Sequence, residues 1–263
     1  MVDLGYDDVG TGPAVVLLPA FPFPRQIWQA QRDALAQQGW RVLTVDLRGF
    51  GESALGDDEP ALPYLAGDVL ALLERLRIDR CVLGGVSMGG YVAMAMLRQA
   101  PEVVAGLLLV DTKATADSPD AAAVRRQEAD AVDGSRSTQL LAQSLPSRLL
   151  GPVTRSQRPE LVDQVRDWIA AASPAAVAWA QRAMATRPDS LDVLAALGVP
   201  ALVLWGEDDV VSPQAEQAAM LGVLSRGTAV ALPGVGHLSP LEAPEAVTAA
   251  IAGFIGPLRP PYV

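Results

Sequence analysis

The feature that most restricts how this chain can fold is an alternation of short Val/Leu-rich apolar runs with longer helical patterns. Six runs read as strands buried on both faces: Ala14–Leu18, Val42–Val45, Val82–Val86, Leu107–Val110, Ala201–Trp205 and Thr228–Leu232. They are short and flanked by Gly, Pro or Asp, as strands of a covered parallel sheet are. Between them lie helical patterns at Arg25–Gln38, Tyr64–Leu76, Met88–Gln99, Leu191–Leu197, Pro213–Leu224 and Pro244–Ile255. Pro213 and Pro244 suit first-turn positions, and the Glu that follows each favours the positive end of a helix. Strands apolar on both sides need helices on both sides. The pattern therefore predicts an α/β protein built on an open, mostly parallel sheet. Leu4–Asp8 is expected to add an antiparallel edge strand.

The alternation stops between Thr112 and Pro188. That stretch holds helical patterns at Asp120–Ala131, Ser137–Leu145, Pro159–Ala172 and Pro174–Ala185, several opened by Pro or Ser. The 263 residues, half of them apolar, suit one domain with an insertion. The expected division is a core of residues 1–111 and 188–263 with a helical lid at 112–187. Ligands of open α/β sheets bind outside the carboxyl ends of the strands, where such a lid would sit. A helical subdomain with no part in the site is the alternative. Arg259–Val263 reads as a short tail.

The strand Val82–Val86 runs through Gly85-Val86-Ser87-Met88-Gly89 into the helix Met88–Gln99. A Gly-x-Ser-x-Gly between strand and helix forces a sharp turn at Ser87 that projects its Oγ. Gly85 and Gly89 face each other across that turn, so both must be small. The helix aims its N-terminus at the hydroxyl, and the Met88 N–H is placed to donate to a developing oxyanion. A bland Gly-Ser turn and a phosphate loop are the competing readings. The second lacks the Gly-Lys-Ser/Thr ending.

His237 is the chain's single histidine and lies between the last strand and the last helix, in Gly236-His237-Leu238. A loop at the carboxyl edge of the sheet is where a base can reach a nucleophile seated at the same edge. An acid that fixes the imidazole tautomer should lie between Ser87 and His237 in sequence, at another carboxyl edge. The strand Ala201–Trp205 ends in Gly206-Glu207-Asp208-Asp209, and Asp209 is the expected acid. Asp111, at the end of Leu107–Val110, is its rival. A metal site is not expected there, since no second carboxylate cluster or further histidine supports one.

In order and spacing, Ser87, Asp209 and His237 resemble the nucleophile, acid and histidine of the α/β-hydrolase superfamily. The likeness covers essentially the whole chain. It is nearest to a small capped branch of carboxylesterases, enol-lactonases of the 3-oxoadipate type and cofactor-free haloperoxidase/perhydrolases. Gly206-x-x-Asp209-x-x-x-Pro213 matches the branch's acid loop, and Gly236 through Glu245 its histidine loop. Asp46-Leu47-Arg48-Gly49-Phe50-Gly51-Glu52-Ser53 matches a further signature, read as loop architecture anchored by Arg48. Where the family has His-Gly-x, this chain has Pro19-Ala20-Phe21. The match implies that Phe21 supplies the second oxyanion N–H. Pro19, Pro22 and Pro24 have none to offer, which leaves Ala20, Phe21 and Phe23 as local donors.

The function implied is hydrolysis of a small carboxylic ester or lactone through an acyl-enzyme, with no cofactor. Perhydrolase, haloperoxidase-like or C–C hydrolase chemistry on the same three residues is the alternative, as is a non-catalytic ligand receptor. Candidate pocket walls are Phe21, Phe23, Trp168, Trp179 and Met184. The tryptophans serve equally well to pack the insertion onto the core. Arg125, Arg126 and Arg182 are candidates to pair with a substrate carboxylate. The formal net charge of −10 disfavours nucleic acid and anionic membranes as partners. Basic charge is almost all arginine, with Lys113 the one lysine. Cys81 stands alone in an apolar run, so no intrachain disulfide is expected and its thiol reads as structural. No apolar run is long enough to span a membrane, and Met1-Val2-Asp3-Leu4 does not open a signal peptide, so a cytoplasmic location is expected. The sequence does not indicate an oligomeric state.

Overall fold

Seven strands form a single sheet in the computed structural model, which describes residues 1–259. They are β1 (Tyr6–Val9), β2 (Ala14–Leu18), β3 (Arg41–Val45), β4 (Cys81–Val86), β5 (Val104–Val110), β6 (Ala201–Gly206) and β7 (Gly227–Leu232). Their order in space is β1-β3-β2-β4-β5-β6-β7. β1 runs antiparallel to β3, as Leu4–Asp8 led us to expect, and the remaining pairings are parallel. Every residue of β4 and β6 is buried, which explains why both read as unbroken apolar runs. The expectation of two buried faces fails for β7. It is an edge strand with a neighbour on one side only, and of its residues only Leu232 is buried. Cys81 is buried, and burial pushes its thiol up to about 12, which leaves it inert.

The core helices follow the expected order: α1 (Gln29–Gln37), α2 (Leu62–Arg75) and α3 (Met88–Gln99), with a 3-10 turn at Arg25–Trp28 leading into α1. Six more helices lie within residues 112–187, where four were expected: α4 (Pro119–Ser135), α5 (Gln139–Ser144), α6 (Pro146–Leu149), α7 (Pro152–Gln157), α8 (Pro159–Ala171) and α9 (Pro174–Ala185). Pro146 and Pro152 each start an extra short turn, too brief to show a helical period. α10 (Leu191–Ala195), α11 (Gln214–Val223), α12 (Ser239–Glu242) and α13 (Pro244–Ile255) complete the chain. Pro244 takes the first turn of α13 as expected, whereas Pro213 caps α11 from outside.

The inserted helices share the core of the sheet. Leu141, Leu149, Val165 and Trp179 belong to the same buried cluster as the strands. α4 lies along α9, and α5 along α8. Ser118 and Ser173 cap α4 and α9 through their side-chain oxygens. Trp179 fastens α9 to the core, its indole N–H donating to the Asp58 carbonyl at 2.7 Å. Arg48 lies beneath. Its Nε and Nη2 grip Asp68 at 2.7 and 3.0 Å, the paired bonding expected of a loop anchor. Arg259 stacks on Trp40, its guanidinium carbon 4.8 Å from the ring centre. Pro260–Val263, the rest of the segment read as a tail, lie outside the described residues.

Candidate active site

The site starts from the turn between β4 and α3. Ser87 caps α3 with φ +54° and ψ −116°, a conformation that L side chains adopt only under constraint. The constraint is visible in its neighbours. A Cβ on Gly85 would lie 2.2 Å from the Gly89 carbonyl carbon, and one on Gly89 would lie 2.3 Å from the Leu18 carbonyl oxygen. The Ser87 N–H donates to Val110 of β5 at 3.0 Å, and its carbonyl accepts the Thr112 hydroxyl at 2.7 Å.

The structure brings the three expected side chains together. His237 Nε2 lies 2.8 Å from Ser87 Oγ, and His237 Nδ1 lies 2.8 Å from Asp209 Oδ2. Asp209 is held by its own loop. Its Oδ1 accepts the backbone N–H groups of Val211 and Ser212 at 2.7 and 3.0 Å, and its Oδ2 accepts the Ser212 hydroxyl. Sequence reasoning missed Ser212. The signal was present, because an Asp commonly bonds backbone N–H groups two and three residues on. Burial opposes charge on both Asp209 and His237. Their attraction for each other, with the Ser212 bonds, still lowers the Asp209 carboxyl and raises the imidazole above its usual range.

Asp111, the rival acid, lies elsewhere. Its Oδ1 accepts the Gly206 N–H at 3.0 Å and its Oδ2 the Ser239 N–H at 2.9 Å, so it joins β6 to the histidine loop without bonding the imidazole. Full burial, then the charge of Asp209, pushes its carboxyl up to about 8, against the opposing pull of His237 and Ser239. Gly206 and the histidine loop touch through their backbones. A Cβ on Gly206 would fall 2.2 Å from the Gly236 carbonyl oxygen. Among the described residues, no cluster of three or more His, Cys, Asp or Glu is disposed to hold a metal ion.

Of the local donors after β2, the Phe23 N–H is engaged by the Ala20 carbonyl at 2.8 Å, and Ala20 is buried. Phe21 lines the cavity that holds Ser87 and His237. Neither the Phe21 nor the Met88 N–H has a protein acceptor among the described residues. Unengaged N–H groups beside a nucleophile can hold a charged oxygen.

The cavity measures about 340 Å³ and has walls from both the core and the insertion. Of the expected pocket residues, Phe21 and Met184 line it, and Phe23, Trp168 and Trp179 do not. Phe23 is wholly buried and meets the edge of Trp168 at a ring separation of 6.0 Å, an interlock of core with insertion. Trp179 turns toward Asp58, as described above. Helix register in the insertion decides these directions, and no sequence period of the insertion reports it. Of the candidate cations, Arg125 lines the cavity. Arg182 bonds Asp130 and Asp133 on the surface, and Arg126 is exposed. Tyr91, Lys113 and Arg148 also line the cavity and were not anticipated there. Lys113 carried a signal, since it follows the carboxyl end of β5 by three residues.

A sequence profile of the alpha/beta hydrolase family matches residues 15–250. An esterase from Thermogutta terrifontis, solved with malate bound, is 40% identical, superposes with a TM-score of 0.95, and shares 98% of this chain and 95% of its own. An enol-lactonase from Burkholderia xenovorans is 25% identical with a TM-score of 0.89 over 97% of each chain. BpoC of Mycobacterium tuberculosis, whose designation as a non-heme bromoperoxidase is provisional, is 30% identical over 98% of this chain and 100% of its own. No helix among the described residues is long and apolar enough to cross a membrane.

Proposed function

This chain belongs to the alpha/beta hydrolase family, and we propose that within it the protein is a serine hydrolase of small carboxylic esters or lactones. Ser87 is the nucleophile, His237 the general base and Asp209 the acid that orients it. The observation that carries the reading is the continuous path from Asp209 Oδ2 through the imidazole to Ser87 Oγ, 2.8 Å at each step. Relatives named for esterase and enol-lactonase activity support the same chemistry.

In this reading Ser87 Oγ attacks the substrate carbonyl while His237 Nε2 takes its proton. The N–H groups of Phe21 and Met88 hold the oxyanion of the tetrahedral intermediate. His237 returns the proton to the leaving alcohol, and a water deprotonated by His237 releases the acid from Ser87. Residues 112–187 act as the lid, a role supported by the part that Arg125, Leu149 and Met184 take in the cavity wall. The cavity volume is of the order known for small-molecule sites. The proposed setting is the cytoplasm.

Turnover of p-nitrophenyl acetate and butyrate, with fluorophosphonate labelling, tests the proposal. Wild type is expected to turn over and label at Ser87, and Ser87→Ala to lose both, with kcat down by about 10⁴-fold or more. Absence of both in wild type would make the chain a non-catalytic ligand receptor.

A further inference from the structure

The cavity above Ser87 carries a charge opposite to that of the protein. The chain has a formal net charge of −10. Its cavity wall nevertheless holds three cations, Lys113, Arg125 and Arg148, against two carboxylates, Asp117 and Glu128. Asp117 does not cancel the excess. Its side chain is 2% exposed and meets Lys113 Nζ at 3.4 Å, Arg125 Nε at 2.6 Å and Arg187 Nη1 at 2.7 Å. Burial opposes its charge, but the bond from Arg187 and the neighbouring Arg125 hold its carboxyl well below the usual range. One negative charge is therefore shared among three cations. Glu128 spends its hydrogen bond on the neutral Gln181 amide at 2.6 Å, and Glu216, outside the wall, bonds the Thr115 hydroxyl at 2.7 Å.

Arg125 and Arg187 are fixed by the Asp117 network, and the cations of the wall keep donors in reserve. Arg187 is stacked on the Tyr91 ring, its guanidinium carbon 4.2 Å from the ring centre, which locks the network to the helix that begins at Ser87. Arg125 uses Nε on Asp117 and Nη1 on Gln181. Its Nη2, and the whole Arg148 guanidinium, have no acceptor among the described residues, and the Lys113 contact with Asp117 is long. Unfilled donors on surplus cations in a walled cleft attract an anion more strongly than the same groups in open water.

We propose that Lys113 and Arg125, with Arg148, form a subsite for a carboxylate on the substrate, so that the ester or lactone cleaved at Ser87 bears a second, ionised acid group. This rests on the serine-hydrolase reading above and narrows its substrate class. The subsite discriminates by charge, and Lys113 and Arg125 are its specificity-determining residues.

The test compares kcat/KM for the monoethyl esters of succinic, glutaric and adipic acids with ethyl alkanoates of matched length and with ethyl 4-aminobutyrate. The best monoester is expected to exceed its neutral match by at least about ten-fold, the range one charge pair in a walled site supplies. The amino ester is expected to fall below both, and the preference to shrink as salt is raised. Lys113→Met and Arg125→Met should each cut the ratio of anionic to neutral kcat/KM by about ten-fold, and Lys113→Arg should retain it. A wild-type ratio near one for all three acids, or a ratio that neither Met variant moves, overturns the subsite. If no ester turns over and Ser87 does not label, the hydrolase reading fails instead. Calorimetric titration with glutarate then judges the subsite alone: binding in wild type that Lys113→Met abolishes supports it, and no binding overturns it.

Discussion

The backbone N–H of His237 donates to the carbonyl of Leu149 at 2.8 Å, so the loop that carries the imidazole is bonded to the inserted helices as well as to the sheet. Glu242 doubles the tie. Its Oε2 accepts the Gly151 N–H at 2.8 Å and its Oε1 the Leu238 N–H at 3.2 Å. A Cβ on Gly236 would lie 2.3 Å from the Gly151 nitrogen, so the two backbones are in direct contact. The insertion therefore braces the histidine loop, which also touches Gly206 of β6.

Glu242→Ala removes both side-chain bonds of that brace. Two backbone donors lose a charged acceptor, which should cost about 2 kcal/mol of stability. A loosened imidazole also loses alignment with Ser87, and kcat on p-nitrophenyl acetate should drop about ten-fold or more. Thermal denaturation and initial rates check the two effects separately. A fall in Tm with unchanged kcat would limit Glu242 to a structural role.

The pH profile follows from the charges around His237. Burial disfavours the imidazolium, but the charge of Asp209, its hydrogen bond and the more distant Glu242 raise the imidazole above 6.5. A general base must be neutral, so kcat/KM should decline below that raised pKa, with its acid inflection above 6.5. Asp209→Asn removes the main raising charge and leaves burial in control. Its inflection should then move below 6.5, while the plateau falls by about 10⁴-fold. Fluorophosphonate labelling rates measured against pH follow both proteins where turnover is weak. An inflection that does not move would remove Asp209 from contact with the base. The same raised pKa contributes stability that is fully present below the unfolded value and lost as pH rises through the folded one.

Much of this arrangement is legible in the residues, for reasons that differ along the chain. β4 and α3 could be placed because Gly85-Val86-Ser87-Met88-Gly89 combines a change of period with two positions that tolerate no side chain. β7 stands where the sequence predicts it, but its exposure is not legible, because Thr228-Ala229-Val230-Ala231-Leu232 holds no charged side chain to mark an open face. The cavity wall was the least legible part. Trp179 and Met184 both belong to α9, yet one faces the Asp58 loop and the other the cavity. Both are apolar and buried, so only the packing of α9 against α4 and the core distinguishes them.

Asp111 and Asp209 invite a direct comparison, since both are buried carboxylates at strand ends close to His237. Asp111, raised to about 8, is largely protonated at neutral pH, and its work is to accept the Gly206 and Ser239 N–H groups. Asp111→Asn keeps the shape and neutrality but turns an NH2 toward one of those donors. It should lose less than about ten-fold in kcat, with about 1–3 kcal/mol of stability. Asp209→Asn, assayed beside it, should lose far more activity. A greater loss of kcat from Asp111→Asn would reverse the assignment of the acid.

The backbone at Ser87 permits a comparison free of catalysis. Ser87→Ala and Ser87→Gly both delete the hydroxyl, but only Ala keeps a Cβ at φ +54° and ψ −116°. Relief of that strain should make Ser87→Gly more stable than Ser87→Ala by about 1 kcal/mol, after the greater chain entropy of unfolded glycine is subtracted. Urea denaturation of the two inactive variants measures the difference, and the m-values should agree because the same surface unfolds. If Ser87→Ala proves equal or more stable, the turn is relaxed in solution. The projection of Oγ toward His237 would then owe nothing to strain in the elbow.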